Sequence, residues 1–194
     1  MPPKAKITKE MIIEEAFQIA REQGADKITA RSISQQLSCS TQPVLYYFSS
    51  VEDIKKAVCQ KADEYHTNYL TRLDPASDSP MLDIGINYIR FAIEEKNLFR
   101  FLFQSNEFSG AAMSDLIDAE ELSPILLVLQ QTLNISRGEA KEIFSTLFIF
   151  VHGYASLFAN NSMVYDEELL KTTLTKVFYG IVHTIKEDPN EKNL

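Results

Sequence analysis

The sequence begins MPPKAKITKE, with no apolar run of signal-peptide length, and no later stretch reads as approaching the ~18 uncharged apolar residues that crossing a bilayer requires. A soluble, cytoplasmic protein with no membrane partner is expected. Cysteine is scarce: Cys39 and Cys59 cannot form the framework that staples small secreted domains, which points to a reducing compartment. The three histidines, His66, His152 and His183, are scattered, and no His-x-x-x-His or Cys-x-x-Cys spacing offers a metal site. Glycine-rich phosphate loops and Gly-x-Ser-x-Gly elbows are missing too. Catalytic residues, a metal and a cofactor are therefore not expected, and the chain does not read as an enzyme. No stretch alternates with period two for long enough to make a strand, and there is no internal repeat.

Basic charge is also in short supply. A net charge of −8 argues against nucleic acid as a partner, because phosphate binding draws most of its affinity from Lys and Arg. The distribution of charge along the chain points the other way. Residues 1–73 carry 10 Lys and Arg against 9 Asp and Glu, whereas residues 74–194 carry 9 against 18. The first nine residues hold Lys4, Lys6 and Lys9 and no acid, so the chain starts with a basic arm.

What is present is helical periodicity, in a chain whose 45% hydrophobic content is that of an ordinary globular protein. From Ile13 the apolar positions Ala16, Phe17 and Ala20 recur at helical spacing, with Thr8 placed to cap the start and Gly24 to end it in a left-handed cap. Thr29 is placed to cap a short second helix with Ile33 and Leu37 inward. A tight turn at Ser38-Cys39-Ser40 follows, then a third helix from about Thr41 with Ser40 as its cap and Pro43 in its first turn. Ser50 and Asp53 open a fourth at capping-box spacing, with Ile54, Ala57, Val58, Ala62, Tyr65 and Tyr69 along one stripe. The segment from Asp74 to Pro80 is the clearest break. Further helices are expected near 81–96, 97–105, 114–121 and 123–134. Two longer ones follow, one from Ser136, which forms a capping box with Glu139, and one from about Asp166. The fold class is all-α with about nine helices: an N-terminal domain over 1–58, its fourth helix continuing to about 73, and a larger helical domain over 74–194.

The second and third helices, joined by a short turn, are the parts of a helix-turn-helix, and they point to double-stranded DNA. Val44 and Phe48 would anchor the third helix to the core, leaving Thr41, Gln42, Leu45 and Tyr46 to face away. Gln pairs with adenine, Tyr hydroxyls reach phosphate oxygens, and Leu or the Pro ring touches a thymine methyl. Phe48 reads as core and Tyr46 as a surface contact, while Tyr47 fits either role.

The segment from Ile7 to about Val58 resembles the N-terminal domain of TetR-type transcriptional regulators. The shared features are the Ala-Phe run before Gly24, Ile-Thr-x-Arg at the second helix, the turn at Ser38, and an aromatic third helix followed by Ser-x-Glu-Asp. The resemblance implies a phosphate and a base contact from Thr29 and Arg31, and recognition-helix contacts from Thr41, Gln42, Pro43, Leu45, Tyr46 and Tyr47, with Ser40 beside them. Ser38, Leu45 and Val51 depart from the family's usual Gly, Tyr and phosphate-binding Lys. Lys6, Lys9 and Lys55, with the exposed N–H groups of the fourth helix, would supply the positive potential.

The C-terminal half is acidic and rich in phenylalanine. Any single ring reads as core, but the collection can line a cavity for an apolar small molecule, with Phe91, Phe99, Phe103, Phe148 and His152 as candidates. Phe150-Val151-His152-Gly153 resembles the Trp-His-Gly segment of one TetR-family C-terminal domain, which makes His152 either a cavity-facing polar group or a hydrogen-bonded core histidine. The last two helices carry apolar residues on more than one face, so each needs a second partner, and a second copy of the chain is the simplest source. Leu147, Phe150, Val151, Leu157, Leu174, Phe178 and Ile181 are the candidate dimer contacts. The resemblance implies the same, through two helices of each copy in a four-helix bundle on a palindromic operator. These features read as a homodimeric regulator, a repressor released by an apolar effector. The alternative is a regulator whose C-terminal domain takes a protein partner or no effector.

Overall fold

The computed structural model describes residues 7–73, 79–104 and 122–187. Lys4, Lys6 and the helix expected around 114–121 lie outside these residues. Among the described residues the chain is all-helical: α1 Lys9–Gln23, α2 Ala30–Gln36, α3 Gln42–Tyr47, α4 Val51–Leu70, α5 Pro80–Glu94, α6 Lys96–Phe103, α7 Ser123–Leu133, α8 Arg137–Asn160 and α9 Glu167–Glu187.

The helices form two compact units. Residues 7–71 and 91–104 make the first; the rest of the described residues make the second, and the division falls inside α5. The break expected at 74 falls close to the first division, but 91–104 go with the N-terminal unit rather than with the C-terminal domain. The cause is the apolar face of α6: Leu98, Phe99, Phe101 and Leu102 are all buried, and the helix packs on α1 and α4.

In the first unit Ile12, Ala16, Phe17, Ile19 and Ala20 form the buried stripe of α1, and the Thr8 hydroxyl accepts from the Met11 N–H. Gly24 ends the helix at φ 100° and ψ 153°, so it takes the positive φ open to glycine but not the left-handed helical cap. The α2 cap is a reciprocal pair between Thr29 and Ser32. Ser40 does not cap α3: Thr41 holds that position with no side-chain bond, because Pro43 already removes one orphan donor from the first turn. At the turn itself Ser38 sits at φ 50°. A non-glycine residue there costs about 1–2 kcal/mol, so Ser38→Gly is expected to stabilise by about 0.5–1 kcal/mol net of glycine's entropy, a rise of roughly 2 °C in a thermal melt.

A buried carboxylate ties α1, α4 and the α5–α6 junction together. Glu95, 7% exposed, takes Arg21 Nε at 2.8 Å, the second Arg21 nitrogen, and the Tyr65 hydroxyl at 2.9 Å. Asn97 closes the arrangement on the Arg21 carbonyl. Pairing makes such burial tolerable, and Glu95 in turn raises the Arg21 pKa. Beside it His66 lies edge-on between Phe91 and Phe103, at 4.8 and 5.1 Å, where burial pushes its pKa down to about 4 and keeps it neutral.

In the second unit the Ser136–Glu139 capping box opens α8, as expected. Ala140, Ile143, Leu147, Val151, Ala155 and Phe158 form its buried stripe, and the helix packs against α7 and α9. By length and composition α8 is apolar enough to cross a membrane, which corrects the expectation that no stretch comes near that limit. Its packing inside the unit accounts for one apolar face. Leu170 and Leu174 bury the start of α9, and Gly85 of α5 lies so close that a Cβ would stand 2.8 Å from the Leu174 side chain.

An ion-pair network holds the first turn of α9 to α5. Glu167 takes Arg90, Lys171 at 2.9 Å and the Tyr165 hydroxyl at 3.2 Å, and Arg90 above all holds its carboxyl down at about 2. A depressed carboxyl contributes stability above its ordinary value near 4.5 and loses it as pH falls toward 2. Glu167→Gln is expected to cost about 1 kcal/mol at pH 7, after allowance for solvent screening, with the difference from wild type vanishing near pH 2 in urea titrations.

Candidate nucleic-acid interface

The candidate reading surface is built from α2, the turn and α3. Val44 is fully buried and Phe48 nearly so, which clamps α3 by one side. Gln42, Leu45 and Tyr46 stand at i, i+3 and i+4, and so share the opposite face. All three are exposed, Leu45 to 60% and Tyr46 to 82%. Tyr47 and Pro43 lie on the flanks, half-buried, and the Tyr47 ring meets Tyr46 edge-on at 5.1 Å. Ser40 and Thr41 are exposed at the start of the helix.

Around this face the cations are few. Lys9 is exposed, its Nζ 5.4 Å from the Phe48 ring centroid, and Arg31 is exposed on α2. Thr29 is exposed, but its hydroxyl is engaged by the Ser32 N–H at 2.9 Å. Lys55 is half-buried and pairs with Glu52 at 3.0 Å. Sequence reasoning passed over Lys56, which is exposed and stands next to Lys55, and Lys27, exposed and paired with Asp26. The start of α4 was expected to offer N–H groups to phosphate. Its Asp53 N–H is instead taken by the Ser50 hydroxyl, while hydroxyls of Ser49 and Ser50 bind the Asp53 carboxylate and hold its pKa below the usual range. With Glu52 beside it, that helix end carries its own anions, whereas Lys9, Arg31 and Lys56 are exposed.

The five candidate effector residues fall into two groups. Phe91, near the end of α5, and Phe99 and Phe103, on α6, belong to the first unit, and the first two are wholly buried there; the Phe91 and Phe103 rings pack on His66 of α4. Phe148 and His152 belong to the second unit, where sequence reasoning missed their partner, Tyr88. The Tyr88 hydroxyl lies 2.9 Å from His152 Nδ1, Phe148 packs on both rings, and Phe144 stacks on Phe148. Burial lowers the His152 pKa and raises that of Tyr88, so both are neutral near pH 7.

The dimer candidates divide as well. Leu147, Val151 and Leu174 are buried inside their own unit. Phe150, Phe178 and Ile181 are half-exposed, and Leu157 is 50% exposed. Ile149, unremarked in the sequence, is 56% exposed on the same outer side of α8.

A two-helix reading element clamped to a small helical unit is the arrangement of a helix-turn-helix regulator. The chain is 23% identical over 184 residues to the uncharacterized HTH-type transcriptional regulator YobS of Bacillus subtilis, an alignment that covers 89% of this chain and 90% of that protein. Its fold is that of the TetR-family transcriptional regulators: a crystal structure of one from Streptomyces coelicolor superposes with a TM-score of 0.66 over 94% of this chain and 89% of the other, at 15% identity. No protein-family model matches the chain.

Proposed function

We propose that the protein is a homodimeric transcriptional regulator that binds a palindromic DNA operator through α2 and α3, represses from it, and leaves it when an apolar small molecule binds the second unit. The observation that carries this reading is the outward face of α3, where Gln42, Leu45 and Tyr46 are exposed while Val44 and Phe48 hold the helix in place. Similarity to an HTH-type regulator and the shared TetR-type fold support it. For the effector, the Tyr88, Phe144, Phe148 and His152 cluster replaces the five-residue set, since it combines apolar rings with one neutral hydrogen-bonding pair. An effector that prefers the arrangement unable to hold DNA shifts the population away from the operator. The second copy covers the open faces of α8 and α9.

The test is to select sheared genomic DNA from the source organism on the purified protein and sequence what is retained, then to challenge the complex with a panel of apolar molecules. Discrete inverted repeats, released by a subset of the panel, are expected. Uniform recovery across the genome contradicts sequence-specific regulation, and inverted repeats that nothing on the panel releases leave regulation without this effector class.

A further inference from the structure

From Ser32 to Val51 the chain carries no charged side chain. This run contains most of α2, the whole turn and all of α3, so the element placed to enter the groove is electrically neutral. Base chemistry gives that neutrality a consequence. Guanine is read most often by Arg or Lys on O6 and N7, and cytosine N4 by Asp or Glu, and α3 has none of these. Adenine offers an acceptor and a donor that match one carboxamide, and thymine offers a methyl that matches an apolar side chain. The exposed face of α3 presents one of each, Gln42 and, one turn on, Leu45. Tyr46 and Tyr47 place phenols beside them, and these suit phosphate oxygens.

Resting on the operator reading above, we infer that each half-site has an A·T core, an adenine read by Gln42 and a thymine whose methyl group is covered by Leu45. Arg31 is the one exposed basic side chain on the two reading helices, so any guanine contact falls to it and lies outside that core. The specificity within that core is then carried by one amide and one apolar contact per half-site. The lysines around the face, Lys9 and Lys56, bind backbone and add no base preference.

Selection of random duplex DNA on the purified full-length protein, followed by replacement of each thymine of the selected site with deoxyuridine, tests the inference. Deoxyuridine removes only the 5-methyl group. Enriched half-sites with A·T core pairs are expected, with one thymine in each whose methyl loss weakens wild-type binding about fourfold. Leu45→Ala, whose fold is checked by circular dichroism, is expected to bind the thymine and uracil sites equally. Gln42→Ala is expected to lower the preference for adenine at one position by roughly tenfold or more. Half-sites with G·C cores, or a wild-type protein indifferent to every thymine methyl, overturn the inference and leave the regulator intact. Absence of any enriched sequence overturns both.

Discussion

Replacing Gln42 and Tyr46 together with alanine is expected to weaken operator binding by at least about 100-fold, with the melting temperature within about 1 °C of wild type. Both side chains are exposed, and the described contact of Tyr46 is the edge of Tyr47, so little native packing is lost. The loss in binding is large because a good amide-to-adenine pair contributes about 1–3 kcal/mol and a phosphate hydrogen bond about 1 kcal/mol more, and the two-fold axis of the proposed dimer doubles both. Fluorescence anisotropy on a labelled operator duplex reads the affinity, and differential scanning calorimetry reads the stability. A variant that binds as wild type would move recognition away from α3 altogether.

Glutamate at both Phe178 and Ile181 is expected to leave a folded monomer and to abolish tight DNA binding. The apolar stripe of α9 runs through Leu170, Leu174, Val177, Phe178, Ile181 and Ile185, but only the first two are buried by the chain itself. Beyond Leu174 the stripe continues at the same helical phase with no buried member among the described residues, as do Ile149, Phe150 and Leu157 on the outer side of α8. In the proposed dimer a second copy covers these faces. Charges there meet their own symmetry mates in an apolar setting, so each substitution acts twice and the cost is several kcal/mol. Loss of the dimer also removes the gain from two linked half-sites, about 10²–10⁴ in affinity. Sedimentation velocity should give twice the 22.1 kDa chain mass for wild type and that mass once for the variant. A wild-type monomer would contradict the dimer.

Local signals in the sequence led to local features of the structure. Thr8, Thr29, Ser50 and Ser136 cap the helices they were assigned to, since a cap depends on a side chain and an N–H within three residues. The division between Val44 and Phe48 inward and Gln42, Leu45 and Tyr46 outward was legible for the same reason, because helical spacing alone fixes it. Long-range choices were not. Phe99 and Phe103 have the same periodicity whether α6 lies against α4 or lines a cavity elsewhere, and only the folded chain shows which. On α8, apolar residues all round hide the phase: Leu147 and Val151 are spent on the chain's own core, while Ile149 and Leu157 remain outside. Tyr88 went unnoticed as the partner of His152 because 64 residues separate them.

The most direct test of DNA binding through the neutral α3 face is a salt series on wild-type protein with the DNA upstream of its own gene, read by fluorescence anisotropy. Lys9, Arg31 and Lys56 are exposed cations of the first unit, and in the proposed dimer each copy would bring three to the phosphates. Tight binding is expected, with the logarithm of affinity falling against the logarithm of salt at a slope of about −5. The Gln42→Ala, Tyr46→Ala double variant should keep most of that slope while losing most of the affinity. Weak binding that ignores salt and is unchanged by the double substitution would contradict the account.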